Sequence, residues 1–214
     1  MSPPEPIRTP DAAGFVLAGG RSSRMGTDKA LVEFRGKPLV AHALGILRGA
    51  GLDAVSIAGA RAPLQAFASV VPDAQPDLGP LAGICAALES TPARWAVFLP
   101  VDQPLMPPSL VRFLLNRAYV TNSAVALTSV TAFVQTFPAV LDRAVLPALQ
   151  FELHAGRLGC FAAFQSAAAS LGQTATIVEV ESLDQAGQVQ HPEGLLPDRW
   201  FLNINSPDDL GRAH

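Results

Sequence analysis

Short apolar runs alternate with longer amphipathic stretches along most of the chain. The first run, GFVLA at residues 14–18, ends at Gly19-Gly20, which is typical of a buried parallel strand. The amphipathic stretch from Pro38 to Gly51 predicts a helix, because proline suits a first helical turn and glycine suits a C-terminal cap. Further strands are predicted at Ala54–Ala58, Ser69–Val71, Trp95–Leu99, Ala124–Thr128, Phe133–Pro138 and Thr174–Val180.

The predicted helices fall between these strands. They begin at Pro63, at Leu81, after Ser109 as an N-cap, near Asp142 and near Cys160, and a final strand and helix are predicted in WFLNIN and SPDDLGRA. This alternation predicts an α/β fold with a mostly parallel sheet that is covered on both faces. Such sheets bind ligands at the carboxyl ends of their strands, where Gly19, Asp73 and Asp102 would lie.

Length and composition favour one domain. The chain has 214 residues, of which 49% are hydrophobic, and we expect a single domain over residues 13–214. Four prolines among the first eleven residues predict a flexible tail over residues 1–12. No apolar run approaches the roughly 18 to 20 residues of a membrane span, and the first residues do not resemble a secretory signal. We therefore expect a cytoplasmic protein.

The net charge of the chain limits the classes of partner that the protein could bind. A net charge of −3 argues against a general nucleic-acid or anionic-membrane binder, which would need a large basic surface. Five cations nevertheless cluster between positions 21 and 37, namely Arg21, Arg24, Lys29, Arg35 and Lys37. Any site that binds phosphate must therefore be confined to a small part of the surface, such as this cluster.

The segment LAGGRSSRMGTDK, residues 17–29, has the composition of a phosphate site. Glycines let backbone N–H groups approach an anion, and Arg21, Arg24 and Lys29 supply the charge that a di- or triphosphate needs. Two common phosphate motifs are excluded: Thr27 stands where the P-loop would have lysine, and G-x-G-x-x-G is not formed. The alternative is a glycine-rich turn with solvated arginines.

Acidic residues near other predicted strand ends are candidates for metal and nucleotide contacts. Asp102 follows a buried strand and is held in a proline-rich loop, which suits Mg²⁺, an ion that takes only one or two protein carboxylates. Asp73 and Asp77 precede the segment Gly79–Gly83, where backbone amides at a helix start could bind a nucleotide. The alternatives are a capping role for Asp102 and a merely exposed loop for the other two.

The histidines and cysteines do not form a recognisable site. No metal spacing or nucleophile partner accompanies the four histidines, and we expect them to be structural or exposed: His42, His154, His191 and His214. We expect Cys85 and Cys160 to be ordinary buried thiols without a disulfide.

Five motifs together resemble the molybdenum cofactor guanylyltransferase family, within the MobA-like nucleotidyltransferases. They are LAGGRSSRMGTDK, GKPL, GPLAGI, LPVDQPLMP and FLNINSPDDL, and they span Leu17 to Leu210. The resemblance implies a Rossmann-like three-layer α/β/α domain that transfers GMP from GTP to the phosphate of molybdenum-molybdopterin cofactor and releases pyrophosphate. It also implies Mg²⁺ as cofactor, and molybdoenzymes or other cofactor-biosynthesis proteins as partners.

The resemblance assigns roles to individual residues. Arg24, Lys29 and Asp102 would be catalytic, and Asp102 would bind Mg²⁺. The nucleotide would contact Leu17, Ala18, Gly19, Gly20, Lys29, Asp73, Gly79, Leu81 and Asp102.

The chain departs from the family pattern in three places. Ala58 stands where members carry an asparagine, Val101 stands where cysteine is frequent, and Ser123–Pro138 matches poorly. LAGG at the first strand end favours guanine, whereas cytidylyl-transferring relatives tend to read LAAG. The alternatives are a cytidylyltransferase or sugar-phosphate nucleotidyltransferase of the same fold, and a non-catalytic nucleotide-binding carrier of the cofactor.

Overall fold

A computed structural model describes residues 11–19, 28–59, 62–73, 78–206 and 209–211. The strands in this part of the chain are β1 (Ala12–Leu17), β2 (Glu33–Phe34), β3 (Lys37–Pro38), β4 (Val55–Ala58), β5 (Ser69–Val71), β6 (Trp95–Pro100), β7 (Val125–Val130), β8 (Phe133–Asp142) and β9 (Thr176–Glu179). The α-helices are α1 (Leu39–Gly49), α2 (Pro80–Ser90), α3 (Pro108–Thr121), α4 (Leu146–His154), α5 (Cys160–Ser170), α6 (Val180–Gln185) and α7 (Pro197–Trp200). Short 3-10 helices lie at Lys29–Leu31, Ala62–Ala66 and Arg143–Val145.

One sheet of seven strands forms the middle layer of the described residues, in the order β5-β4-β1-β6-β8-β7-β9. Strand β8 runs antiparallel to both of its neighbours, and every other pair in the sheet is parallel. The predicted mostly parallel sheet is therefore confirmed. The antiparallel direction of β8 was not predicted, and it follows from the tight hairpin that joins β7 to β8.

Side chains alternate between the two faces of the sheet, and each face has its own apolar core. Along β1, Val16 belongs to the core under α1, α3, α6 and α7, whereas Phe15 and Leu17 belong to the core under α2, α4 and α5. All six residues of β1 are buried, which explains why this strand reads as a continuous apolar run. The three-layer α/β/α architecture is thus confirmed.

Most predicted elements occur within one or two residues of their expected bounds. Helix α1 begins one residue after Pro38, which is its N-cap residue, and Gly51 follows the helix with φ +95° while its N–H donates to the Arg48 carbonyl at 2.9 Å. Strand β1 includes Ala12, which is the last residue of the predicted tail. Residues 1–10 of the predicted tail lie outside the described residues.

Two local predictions are wrong. Ser109 does not cap α3, because Pro107 occupies that position; instead, its hydroxyl donates to the Gln190 carbonyl at 2.8 Å and accepts from the Gln190 N–H at 3.3 Å. WFLNIN does not form a strand: Trp200 ends α7, and residues 202–205 are irregular. Of the predicted last helix, residues 209–211 are helical, and the flanking residues 207–208 and 212–214 lie outside the described part.

No helix within the described ranges is long and apolar enough to cross a membrane.

Candidate active site

The three predicted strand-end residues meet at one edge of the sheet. Gly19 lies two residues beyond β1, Asp73 lies two residues beyond β5, and Asp102 lies two residues beyond β6. Because these strands are parallel, their carboxyl ends point the same way, and the sheet order places β1 beside β6. The predicted position of the site is thereby supported by the topology.

A cavity of about 460 Å³ opens at this edge. Five of the residues predicted to bind nucleotide line it: Leu17, Ala18, Gly19, Lys29 and Asp102. Pro80, the first residue of α2, lines it as well, so that the N-terminal end of this helix borders the cavity. Backbone N–H groups at a helix start attract anions and hydrogen-bond acceptors, which suits a bound phosphate or base.

Lys29 and Asp102 form an ion pair at the mouth of the cavity. The ammonium of Lys29 donates to Oδ2 of Asp102 at 2.7 Å and also to Oδ1 of Asn205. Both charged side chains are about 20% exposed, so the pair is sheltered and still open to a ligand. The pair therefore presents a preformed cation and a preformed carboxylate to whatever enters the cavity.

Local hydrogen bonds explain how these two charges are placed. Asp28 precedes the 3-10 helix that begins at Lys29, and its Oδ1 accepts from the Ala30 N–H at 3.1 Å. The Asp102 carbonyl accepts from the Ile204 N–H at 2.9 Å, which ties the loop after β6 to the segment that carries Asn205. The ion pair thus joins three segments that are far apart in the sequence.

Asp102 has the properties of a ligand for a hard cation. Its Oδ1 is buried and has no hydrogen-bond partner among the described residues, although Oδ2 is paired with Lys29. In the described part of the chain, no group of three or more His, Cys, Asp or Glu side chains is arranged so that it could hold a metal ion. A cation at Asp102 would take its other ligands from water and phosphate, as Mg²⁺ commonly does, so the residues present fit this ion.

Asp73 lies in a crowded pocket beside Gly19 and Gly83. A Cβ atom on Gly83 would stand 3.0 Å from Oδ1 of Asp73, and one on Gly19 would stand 3.7 Å from Oδ2. Burial raises the pKa of the Asp73 carboxyl, and its Oδ1 has no hydrogen-bond partner within the described ranges. A buried acceptor of this kind suits the hydroxyls of a ribose or the N–H groups of a base.

Two other predicted site residues, Gly79 and Leu81, lie at the start of α2. Gly79 is the N-cap residue of α2 and has φ +74°, a conformation that favours glycine. The side chain of Leu81 is fully buried in the core, so a nucleotide contact from this residue has to come from its backbone. Gly20, Arg24 and Asp77 lie outside the described residues.

Seven further residues that were not predicted as site residues line the cavity: Pro100, Val101, Gln103, Gln135, Thr136, Phe137 and Asn203. Three of them come from β8, because its antiparallel direction brings its first half to the carboxyl ends of the neighbouring strands. A bulge adds to this, since Ala126 pairs with Val140 but Thr128 pairs with Gln135. Bulges of this kind aim side chains toward sites.

The sequence carried only weak signals for these additional residues. Neither the direction of β8 nor its bulge could be read from its hydrophobic pattern. Asn203 and Asn205 stand in the motif FLNIN, which contributed to the family resemblance, but the prediction of a strand there gave them no role.

Burial and hydrogen bonds account for the two cysteines and for His42 and His191, whereas His154 is exposed and His214 lies outside the described residues. Burial raises the pKa of the Cys85 thiol to about 12 and that of Cys160 to about 11, and neither forms a disulfide. Cys85 is buried as predicted, whereas Cys160 is only half-buried. His42 and His191 make hydrogen bonds to the carbonyls of Phe34 at 2.7 Å and Leu105 at 3.1 Å.

The chain is similar to known proteins over nearly its whole length. A family model described as the MobA-like NTP transferase domain matches residues 14–172. A molybdenum cofactor guanylyltransferase of Pseudomonas putida is 36% identical over 209 residues, which cover 96% of this chain and 98% of the relative. The enzyme of the same name from Pseudomonas entomophila is 37% identical over 92% of this chain and 94% of its own length.

Two solved structures have the same fold. The molybdopterin-guanine dinucleotide biosynthesis protein A of Archaeoglobus fulgidus is similar with a TM-score of 0.72 at 22% identity, covering 94% of this chain and 96% of its own. The 2-C-methyl-D-erythritol 4-phosphate cytidylyltransferase of Thermus thermophilus has a TM-score of 0.64 at 18% identity, covering 93% and 95%. At these identities the likeness concerns the fold.

Proposed function

Since the chain belongs to the molybdenum cofactor guanylyltransferase family of MobA-like NTP transferases, we propose that it transfers GMP from GTP to the phosphate of molybdenum-molybdopterin cofactor. The product is molybdopterin guanine dinucleotide, and pyrophosphate is released. The observation that carries the proposal is the Lys29–Asp102 pair at the mouth of a cavity at the carboxyl ends of β1 and β6. This arrangement provides the charges that transfer of a nucleotidyl group needs.

The reaction is a displacement at the α-phosphorus of GTP. An oxygen of the acceptor phosphate forms a new bond to this phosphorus, and the bond to the bridging oxygen of the β-phosphate breaks, so that its electron pair leaves with pyrophosphate. Such transfers depend on positioning and on cations that meet the developing negative charge, and they need no protein nucleophile.

Lys29 is placed to meet that charge. When a triphosphate enters, the ammonium would donate to phosphate oxygens while Asn205 keeps it at the mouth of the cavity. Arg24 would add a second cation to the leaving pyrophosphate, as the sequence motif suggests.

Asp102 would hold the metal through its carboxylate, whose Oδ1 is buried and has no hydrogen-bond partner within the described part. Mg²⁺ held by this carboxylate would supply positive charge that stabilises the developing negative charge on phosphate oxygens.

The order of the strands supports the proposal that the two substrates bind on opposite sides of the cavity. Gly19, Pro80 and the neighbouring Asp73 lie on the side of β1, β4 and β5, where the nucleotide would bind. Gln135, Thr136 and Phe137 lie on the side of β8, which leaves this side for the acceptor. The acceptor phosphate would then approach the nucleotide near Asp102, between the two sides.

Base recognition would rest on groups other than Ala58. This residue ends β4, pairs with Leu17 and Val71, and is only 1% exposed, so it offers no polar contact at the position where the family resemblance implies an asparagine. The carboxylate of Asp73 and the first turn of α2 remain as polar groups for the base or the ribose.

A pyrophosphate-release assay tests the proposal directly. The purified protein is incubated with Mg²⁺ and either GTP or CTP, with and without molybdenum-molybdopterin cofactor. We expect release with GTP only when the acceptor is present, and at least tenfold less with CTP. Preferred use of CTP would instead identify a cytidylyltransferase, and GTP binding without release would identify a carrier.

A further inference from the structure

The side chain of Gln103 is an unexplained polar group at the cavity. It is 5% exposed and lines the cavity, and its Oε1 is buried without a hydrogen-bond partner among the described residues. Leaving a buried acceptor without a partner costs stability, and native proteins rarely do so without a functional reason. A ligand that hydrogen-bonds to this carboxamide would supply the reason.

The loop that carries Gln103 holds it in place. Its carbonyl accepts from the Met106 N–H at 3.4 Å, and its own N–H lies 3.5 Å from the Pro100 carbonyl. Pro104 follows directly, and Leu105 is 3% exposed and packed in the core. The backbone of the loop is therefore held by the protein, and the burial of the Gln103 side chain limits where its carboxamide can lie before any substrate arrives.

The sheet order places Gln103 between the two halves of the cavity. The residue follows Asp102 directly at the end of β6, and β6 lies between β1 and β8. The lining residues from β8 are Gln135, Thr136 and Phe137, all of them uncharged. The phosphate of an acceptor would approach the nucleotide near Asp102, and the neutral part of the acceptor would then face Gln103 and β8.

We propose that Gln103 is a specificity-determining residue whose carboxamide hydrogen-bonds the neutral part of the acceptor. The inference rests on the proposed function. The acceptor group must be an N–H or O–H donor, because the atom without a partner is an acceptor. The aromatic ring of Phe137 on the same side fits a flat heterocycle, which commonly carries such donors at its edge.

The test replaces Gln103 by methionine, an unbranched apolar side chain of similar length. In the pyrophosphate-release assay, Gln103→Met should raise the KM for the acceptor on the order of tenfold and leave the KM for GTP within about twofold. The melting temperature of the variant should not fall, because the substitution removes a polar group that has no partner. Added acceptor should raise the melting temperature of the wild type more than that of the variant.

Gln173→Met is the matched control. Both ends of this carboxamide are bonded within the protein, since Oε1 accepts from the Ala124 N–H at 2.7 Å and Nε2 donates to the Asn122 carbonyl at 3.3 Å. We expect this variant to lose melting temperature and to keep the acceptor KM of the wild type.

The outcomes separate the two proposals. If the wild type transfers GMP but Gln103→Met keeps the wild-type acceptor KM, or if the KM for GTP rises equally, the role of Gln103 is refuted and the proposed function stands. If the wild type releases no pyrophosphate from GTP with the acceptor, both are refuted. A fall in melting temperature like that of Gln173→Met would show that Gln103 serves packing instead.

Discussion

Lys29 and Asp102 lie 73 positions apart in the chain, and their charged groups meet at 2.7 Å. Without ligands, the ammonium that would bind phosphate is therefore paired with the carboxylate that would bind the metal. We expect substrate binding to separate the two groups. Because each neutralises the other in the absence of ligand, the site avoids two isolated charges in a sheltered place. Removing either residue breaks this ion pair and also removes the role that the residue would have in the reaction.

Asp102→Ala should remove metal-dependent turnover. We expect a loss of about a hundredfold or more in kcat/KM, on the scale of roughly 3 kcal/mol for a key charge-stabilising group. The folded state should persist, as checked by circular dichroism and melting temperature. Asp53→Ala is the control, because Asp53 is exposed and precedes β4 at the opposite edge of the sheet. Full activity of Asp102→Ala over a range of Mg²⁺ concentrations would refute the metal assignment.

Asn205 should act through Lys29. Its side chain accepts a hydrogen bond from the ammonium, so Asn205→Ala leaves Lys29 held by Asp102 alone among the bonds described above. We expect Lys29→Met to cost about a hundredfold in rate and Asn205→Ala on the order of tenfold. In the Lys29→Met background, Asn205→Ala should have little further effect, because the shared interaction is already lost. Additive losses in this double-mutant cycle would show that Asn205 acts independently.

Asp73→Asn should stabilise the protein and weaken its binding of GTP. Burial raises the pKa of Asp73 above its ordinary value of 3.8, so the charged carboxylate disfavours the folded state at neutral pH. The variant should therefore melt at a higher temperature than the wild type at pH 7, and this gain should disappear below about pH 3.8, where the carboxyl is protonated in both states.

The same variant should bind GTP less tightly, because the amide is a weaker acceptor than a carboxylate for ribose or base donors. The measurements are melting temperature against pH and the KM for GTP. The exposed Asp53 serves as control, since Asp53→Asn should give neither effect. A variant with lower stability at pH 7 and an unchanged KM for GTP would contradict this account of Asp73.

The nucleotide side of the site was largely predictable, whereas the acceptor side was not. Gly19 and Asp102 follow short apolar runs that end at glycine or proline, which is typical of buried strands, and parallel strands bring their carboxyl ends together whatever the details of packing. The places of Gln135 and Phe137 depend on the direction of β8 and on its bulge, which arise from pairing with β7 rather than from the local sequence. Ser109 was mistaken for a helix cap because its real partner, Gln190, is 81 residues away.

His191 should make the stability of the protein depend on pH near neutrality. Its Nδ1 accepts from the Glu193 N–H at 3.1 Å, which leaves Nε2 to donate to the Leu105 carbonyl at 3.1 Å. This arrangement needs the neutral ring, and burial lowers the pKa of His191 from 6.5. A lowered pKa means that the stabilisation is present above pH 6.5 and is lost as the pH falls through the lowered value.

The variant His191→Phe isolates this effect. Phenylalanine can keep the stacking on Trp200, whose ring lies 6.2 Å from that of His191, but it cannot titrate. The wild type should lose more melting temperature between pH 7.5 and about pH 5.5 than His191→Phe, whereas the exposed His154→Gln should behave as the wild type does. Because Leu105 belongs to the same loop as Asp102, loss of this hydrogen bond should also lower kcat at acidic pH. Equal pH dependence in wild type and His191→Phe would assign the effect to another group.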